Sequence, residues 1–332
     1  MAGAERGLMS QRILLTGGTG FFGRALLRYF LASGTDPDTH ICILSRRPHL
    51  FQSAYPELCE SDNITFVTGD IQNPDSLPWE QTFTHVLHAA TDSTLGPSLT
   101  PLNRFIQIVD GTRHVLDLAI ATGAQRFLLT SSGGIYGSQP AELDEIPEDW
   151  SGSPALNETS TAYSQAKRAS EHLCSLYHLE HGLETVIARC FTFVGPDLPL
   201  NAHFAIGNFI RDALQRPAIT VSGDGTPLRT YLDQRDLARW LWFLLFNATD
   251  GSTYNVGSNR IISIYDLACL VRDLLAPNKS ISVLRQVDLF SSRNRYVPSI
   301  DKIFQDYGIV PQFSLEQAIL SCLDKDPIGL IL

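Results

Sequence analysis

Residues 14–23 read LLTGGTGFFG, four glycines in ten positions directly behind an apolar run. A turn needs one or two glycines; four at this spacing indicate something held against the main chain. The stretch follows the β-rich RILLT (12–16) and opens a helical stretch over 21–33. That is the context a dinucleotide phosphate loop requires. In this reading Gly17 permits the tight turn, Gly20 lets a pyrophosphate approach the backbone, and Gly23 lets the helix pack close to the sheet. Thr19, Phe21 and Phe22 lie where the free N–H groups and positive dipole of the helix start would meet the phosphates. The competing reading is a plain glycine-rich turn.

Outward from this stretch, HICIL (40–44), ITFVT (64–68), HVLHAA (85–90), RFLLTSS (126–132) and ETVIARC (184–190) are short and continuously apolar. Continuous rather than alternating character suits strands buried on both faces of a parallel sheet. Helical stretches near 102–122 and 160–181 alternate with them. The rhythm predicts an α/β fold built on a doubly wound parallel sheet. After Gly195-Pro196 strands become sparse, and helical stretches near 203–215, 234–246, 263–275 and 314–323 dominate. The expected division is residues 1–195 as a dinucleotide-binding domain carrying the catalytic groups, and 196–332 as a smaller, mainly helical substrate region interleaved with it.

The chain has 332 residues, 44% hydrophobic and 18% charged, with a net charge of −10. This is a globular composition. The acidic balance argues against a general hold on nucleic acid or an anionic membrane. Six scattered cysteines without a CxxC suggest neither a zinc site nor a disulfide framework, and no metal is expected. MAGAERGLMSQR lacks a signal-peptide core, and the apolar run Trp240–Phe246 is far short of the ~20 residues of a membrane span. A cytoplasmic location is expected.

The second strand stretch runs into Ser45-Arg46-Arg47-Pro48, with no acid. An acid there would suit the ribose 2′-hydroxyl of NAD; Ser45 and Arg46 suit a 2′-phosphate, so NADP(H) is expected over NAD(H). Tyr163 and Lys167, four apart on a helix, share one face. A lysine beside a phenol favours its ionised form, which lets the tyrosine trade protons with a carbonyl or hydroxyl. The segment Thr130-Ser131-Ser132 ends the fifth strand stretch, at the sheet edge where ligands bind, and a hydroxyl there can hold a substrate oxygen.

With TGGTGFFG (16–23), GDI (69–71), HAA (88–90), SSGGIYG (131–137), YSQAK (163–167), RCFTFVGP (189–196) and GDGTPLRTYLDQRDLA (223–238) in order, the chain resembles the extended short-chain dehydrogenase/reductases. These are the NAD(P)-dependent epimerases and dehydratases of nucleotide sugars, built on a Rossmann sheet. The resemblance implies that Ser132, Tyr163 and Lys167 form a catalytic triad, that Asp70 and Ile71 contact adenine, and that Ala89 and Ala90 floor the cofactor site. It implies that Arg229 holds a nucleotide diphosphate, with Arg295 as a second contact, and that Asn201 and His203 line the substrate. It also implies a homodimer formed by the helices near 102–122 and 160–181.

Two departures bear on the reaction. Nucleotide-sugar 4,6-dehydratases carry an Asp-Glu pair after the catalytic hydroxyl; this chain has Gly133-Gly134. Without that acid and base elimination is disfavoured. Ile108 stands where the family has a proton-relay Asn, so a relay must differ or run through a neighbour such as Gln107. Hydride chemistry survives both losses. The expected activity is NADPH-dependent 4-keto-sugar reduction with Tyr163 as proton donor. The alternatives are a 4-epimerase, reduction of a small non-sugar carbonyl, or a non-catalytic dinucleotide sensor or scaffold.

Overall fold

In the computed structural model, which describes residues 10–33, 38–91, 99–202, 204–287 and 294–323, the apolar runs of the first half become one parallel sheet. Its strands are β1 (Gln11–Thr16), β2 (Thr39–Ser45), β3 (Ile64–Thr68), β4 (His85–His88), β5 (Arg126–Ser132) and β6 (Glu184–Cys190). In space they run β3-β2-β1-β4-β5-β6, so the chain order reverses between β1 and β4. A seventh strand, described with the second region below, extends the sheet beside β6. The carboxyl ends at such a reversal open the crevice in which doubly wound sheets bind ligands.

Alternate residues of each strand face opposite layers. Ile13, Leu15, Ile41 and Ile43 join one core cluster, and Leu14, Leu44, Phe127 and Leu129 the other. The first layer holds α1 (Phe21–Ala32), with α2 (Pro48–Ala54) at its edge; the second pairs α3 (Pro101–Ala121) with α4 (Ala162–His181). Val115, Leu116, Leu118 and Ala119 of α3 are fully buried in the second cluster, so the apolar run 115–121 faces the sheet.

Beyond Gly195 the chain is more strand-rich than the sequence suggests. Helices α5 (Ala205–Gln215), α6 (Gln234–Asn247), α7 (Ile264–Leu275), α8 (Asp301–Tyr307) and α9 (Leu315–Ser321) match the helical reading apart from α8. Just before Gly195 lies β7 (Phe193–Val194), and between the helices lie β8 (Ala218–Val221), β9 (Leu228–Arg229), β10 (Leu232–Asp233), β11 (Thr253–Val256), β12 (Ile262–Ser263), β13 (Ser280–Val283) and β14 (Arg295–Tyr296). Strands of two to four residues carry too few side chains for a legible period. The seventh strand of the main sheet is β11, and α6 packs on α1, with Trp242 Nε1 donating to Leu26 O at 3.0 Å. A third core, around Ile210, Leu267, Val271 and Ile319, belongs to the region after 193.

One buried carboxylate joins the two regions. Asp197 receives Arg24 Nε at 2.7 Å and also pairs with Arg28, both on α1, and it bonds Gln234 at the start of α6. Its own N–H donates to Gln234 Oε1 at 3.1 Å.

Candidate active site

The glycine loop joins β1 to α1. Gly17 adopts φ +75°, and a Cβ there would lie 2.5 Å from Ala89 O and 2.7 Å from Ala90 N. Thr16 Oγ1 accepts from Ala90 N at 3.2 Å and bonds His88 Nδ1 at 2.7 Å, which locks the ends of β1 and β4 into one floor. At Gly20 the only neighbour a Cβ would meet among the described residues is Gly17 O, at 3.4 Å. At Gly23 a Cβ would fall 2.1 Å from Gly18 C and O. Its glycine therefore serves helix-to-loop packing, not the helix-to-sheet packing the sequence suggested. No side chain caps α1, which leaves its first N–H groups for a ligand. The rings of Phe21 and Phe22 pack into the core, Phe22 edge-on to Phe193 at 5.2 Å, and Thr19 O receives Arg24 Nη1 at 3.4 Å. These residues can serve a cofactor through their backbone.

At the end of β2, Ser45 Oγ receives Arg47 N at 3.4 Å, and Arg46 is exposed. The Asp70 carboxylate accepts from Gln72 N at 3.0 Å. Ile71 lies against Gly111 of α3, where a Cβ would meet its Cδ1 at 2.7 Å, and the His114 ring donates to Ile71 O at 2.7 Å.

Three further residues converge at the ends of β5 and α4. Ser132 closes β5, and its Oγ receives Gly134 N at 3.1 Å. The phenols of Tyr163 and of Tyr296 in β14 lie close to it, and the Ser132 hydroxyl favours the ionised form of each. Burial pushes Tyr163 up to about 12, so it is a protonated phenol at neutral pH. Lys167 is fully buried, and its Nζ donates to Thr91 Oγ1 at 2.7 Å and Thr130 O at 2.8 Å. Burial pushes it down to about 8.

Here the structure corrects the sequence reading. Lys167 was expected to lower Tyr163; desolvation of the phenol wins, and the Lys167 ammonium bonds Thr91 and Thr130. The cation on Tyr163 is Arg104 of α3, whose guanidinium carbon lies 4.8 Å from the ring centroid. Thr91, directly after HAA, gives Lys167 the hydroxyl that Ile108 cannot: Ile108 is buried, and its carbonyl is occupied by Thr112 Oγ1 at 2.7 Å. Tyr296, Arg104 and Thr91 were all missed. Only Thr91 carried a signal, as a hydroxyl beside a motif already singled out.

The substrate side is less regular. Arg229 is half-buried and donates to Leu228 O at 2.7 Å; desolvation lowers its pKa. Arg295 donates to the carboxylate of Asp144 at 2.5 Å, while the next residue, Tyr296, is the one that lies by Ser132 and packs, tilted by 35°, on Phe191 at 4.6 Å. Strand alternation separates the two. Asn201 is exposed, and His203 lies outside the described residues. A Cβ at Gly133 would strike the Phe191 ring at 2.6 Å, and one at Gly134 would meet Ser164 Oγ at 2.6 Å. Phe191 and Ser164 thus lie against the two positions where a dehydratase carries its carboxylate pair.

A doubly wound sheet, a glycine cradle at its reversal point and a Ser-Tyr-Lys cluster at the end of β5 define a dinucleotide-dependent enzyme of the extended short-chain dehydrogenase/reductase class. The family model described as NAD dependent epimerase/dehydratase family matches residues 13–257, and the chain belongs to that family. It is 28% identical over 312 residues to UDP-glucuronic acid decarboxylase 2 of Arabidopsis thaliana, covering 93% of this chain and 66% of that one. It is also 28% identical over 337 residues to dTDP-glucose 4,6-dehydratase of Neisseria meningitidis serogroup B, covering 93% and 91%. The fold matches UDP-glucuronic acid 4-epimerase of Bacillus cereus, solved with UDP-glucuronic acid and NAD, at TM-score 0.79 and 22% identity, covering 96% of this chain and 99% of that one. UDP-glucose 4-epimerase of Thermotoga maritima, solved with UDP-glucose, matches at TM-score 0.79 and 21% identity, covering 94% and 97%. Among the described residues no helix is long and apolar enough to cross a membrane.

Proposed function

We propose that this chain carries out hydride chemistry at C4 of a nucleotide-diphosphate sugar without eliminating water, most directly the NADP(H)-dependent reduction of a 4-keto sugar. The observation that carries this reading is the Phe191 ring standing where a Gly133 side chain would be. It denies the site the acid–base pair that dehydration needs, while leaving the hydroxyl, phenol and ammonium that hydride chemistry needs.

The residues fit a dinucleotide. The backbone at Gly20, with Gly17 and the uncapped start of α1, would hold its phosphates; Ala89 and Ala90 would floor it, Asp70 and Ile71 would lie by the adenine, and Ser45 with Arg46 would meet a 2′-phosphate. The dinucleotide supplies the hydride. Tyr163, protonated at neutral pH, gives its proton to the oxygen at C4; Ser132 orients that oxygen; Lys167 and Thr91 replace the proton. Arg229 holds the diphosphate. Asn201 and His203 are proposed to line the sugar, with Arg295 near it. A 4-epimerase is the second reading. It is favoured by the 4-epimerases among the solved relatives and uses the same residues in both directions.

Tyr163→Phe tests the chemistry: turnover should fall about 10²–10⁴-fold with dinucleotide affinity unchanged. Intact turnover would sink the assignment, and cofactor-dependent behaviour without turnover in the unaltered protein would favour a sensor. Identifying the nucleotide released on denaturation separates the two enzymes. Exchangeable NADPH supports the reductase; stoichiometric NAD(H) that resists exchange supports the epimerase. We further propose a homodimer through α3 and α4, whose Leu102 and Leu179 are 66% and 79% exposed. Light scattering tests it.

A further inference from the structure

Arg104 is placed against the ordinary preferences of a cation. It is the fourth residue of α3, near the positive end of the helix dipole. Its Nε is buried without a hydrogen-bond partner, and no carboxylate among the described residues pairs with it. By contrast, Arg189 of β6 is held by Glu171 at 2.8 Å. The Arg104 guanidinium rests instead on the face of Tyr163, with its carbon 4.8 Å from the ring centroid. An aromatic face attracts a cation through its quadrupole, and more strongly where water is excluded.

That ring is where charge forms in the reaction. When Tyr163 gives its proton to the oxygen at C4, the electrons of the O–H bond stay on the phenol oxygen and the ring becomes an anion. A guanidinium on the ring attracts the anion more than it attracts the neutral phenol. Its contribution therefore grows on the way to the transition state. The other groups that bear on the Tyr163 phenol are the Ser132 hydroxyl, the Cys190 thiol and the Tyr296 phenol. None of these is a cation, and the Lys167 ammonium is turned to Thr91 and Thr130. With no acid to neutralise it, Arg104 brings an undivided positive charge to the ring.

We propose that Arg104 is a positioning residue that acts through Tyr163, balancing the negative charge that forms on the phenol as the proton leaves. This is the part that helical spacing assigned to Lys167, which is left with Thr91 to return the proton. The inference rests on Tyr163 as proton donor in the function proposed above, and it holds for reduction and epimerisation alike.

The test titrates the phenol directly in the full chain. A fluorinated tyrosine, which ionises at lower pH than tyrosine, is placed at position 163 and followed by fluorine NMR. Arg104→Met should raise the midpoint by about 0.5–1.5 pH units, and Arg104→Lys should recover most of that rise. An unmoved midpoint in Arg104→Met overturns the proposal without any substrate. Turnover is then measured with NADPH and a UDP- or dTDP-linked 4-keto sugar, and as 4-epimerisation of UDP-glucose. Arg104→Met should lower kcat about 3- to 30-fold with KM little changed. In a Tyr163→Phe background the same substitution should have no further effect on the residual rate. An equal fall in both backgrounds overturns the proposal, because Arg104 would then act on something other than the phenol. If the unaltered protein turns over none of these sugars, the reading of its reaction fails; the midpoint still decides whether Arg104 supports charge on Tyr163.

Discussion

Gly20 and Gly23 sit three residues apart, and alanine at each should weaken the dinucleotide, yet only one of the two should damage the fold. At Gly20 the backbone is extended, φ −89° and ψ −170°, a conformation any residue adopts. The new methyl would touch, among the described residues, only Gly17 O, at 3.4 Å. Gly20→Ala should therefore leave the cofactor-free fold intact, or stabilise it by about 0.4–1 kcal/mol through the unfolded chain. That is at most about 2–4 °C in Tm. The methyl occupies the space through which phosphate reaches the α1 N–H groups. Losing one hydrogen bond to a charged group costs about 1.5–3 kcal/mol, or roughly 10- to 150-fold in dinucleotide Kd. At Gly23 the methyl would lie 2.1 Å from Gly18 backbone atoms, against 3.4 Å for ordinary contact. Gly23→Ala should lose about 1–3 kcal/mol of stability and weaken the dinucleotide as well. Thermal melts without cofactor, paired with titration of NADPH and NADH, separate the two. Unchanged Kd in a folded Gly20→Ala protein would refute the phosphate-approach argument.

Thr91→Val removes one of two hydrogen bonds to the Lys167 ammonium and should cut turnover about 10- to 100-fold, with Thr91→Ser restoring it; full activity in the valine variant would remove Thr91 from the relay. For pH, Tyr163 stays protonated up to about 12, whereas Lys167 is charged below about 8 and neutral above. In the reductive direction kcat/KM should be level on the acid side of pH 8 and fall about tenfold per unit on the alkaline side; a level profile to pH 10 would contradict this assignment. Asp197→Ala leaves Arg24 and Arg28 without their shared carboxylate and should destabilise the fold by about 3–5 kcal/mol in denaturant melts. A loss under 1 kcal/mol would show the triad to be dispensable.

The legible parts of the sequence were those that repeat. Six continuous apolar runs became six strands of the parallel sheet because burial on both faces demands that composition whatever the neighbours are. The glycine loop was readable because its conformations exclude other residues: Gly17 by its positive φ, Gly23 by backbone contact. Ser132, Tyr163 and Lys167 were found through spacing and family order; Tyr163 lies beside Ser132, while the Lys167 ammonium bonds Thr91 and Thr130. What failed was direction. Nothing in YSQAK says that the Lys167 ammonium will bond Thr91, or that Arg104, some sixty residues upstream, will cover the phenol. Those contacts are set by how α3 lies against α4. β14 is two residues long, so its alternation could not choose between Arg295 and Tyr296; only its pairing with β9 does so. The short strands after Gly195 were lost for the same reason.

The Asp197 junction has a consequence for the order of events. Helix α1 presents its start to the phosphates and its flank, through Arg24 and Arg28, to a carboxylate at the head of the second region. In the proposed function, a dinucleotide in the glycine cradle bears on α1, and α1 is tied through Asp197 to the segment that opens the second region. Any coupling between the two ligands is then bound by thermodynamic reciprocity. Whatever factor the dinucleotide adds to sugar-nucleotide affinity, the sugar nucleotide must return to the dinucleotide.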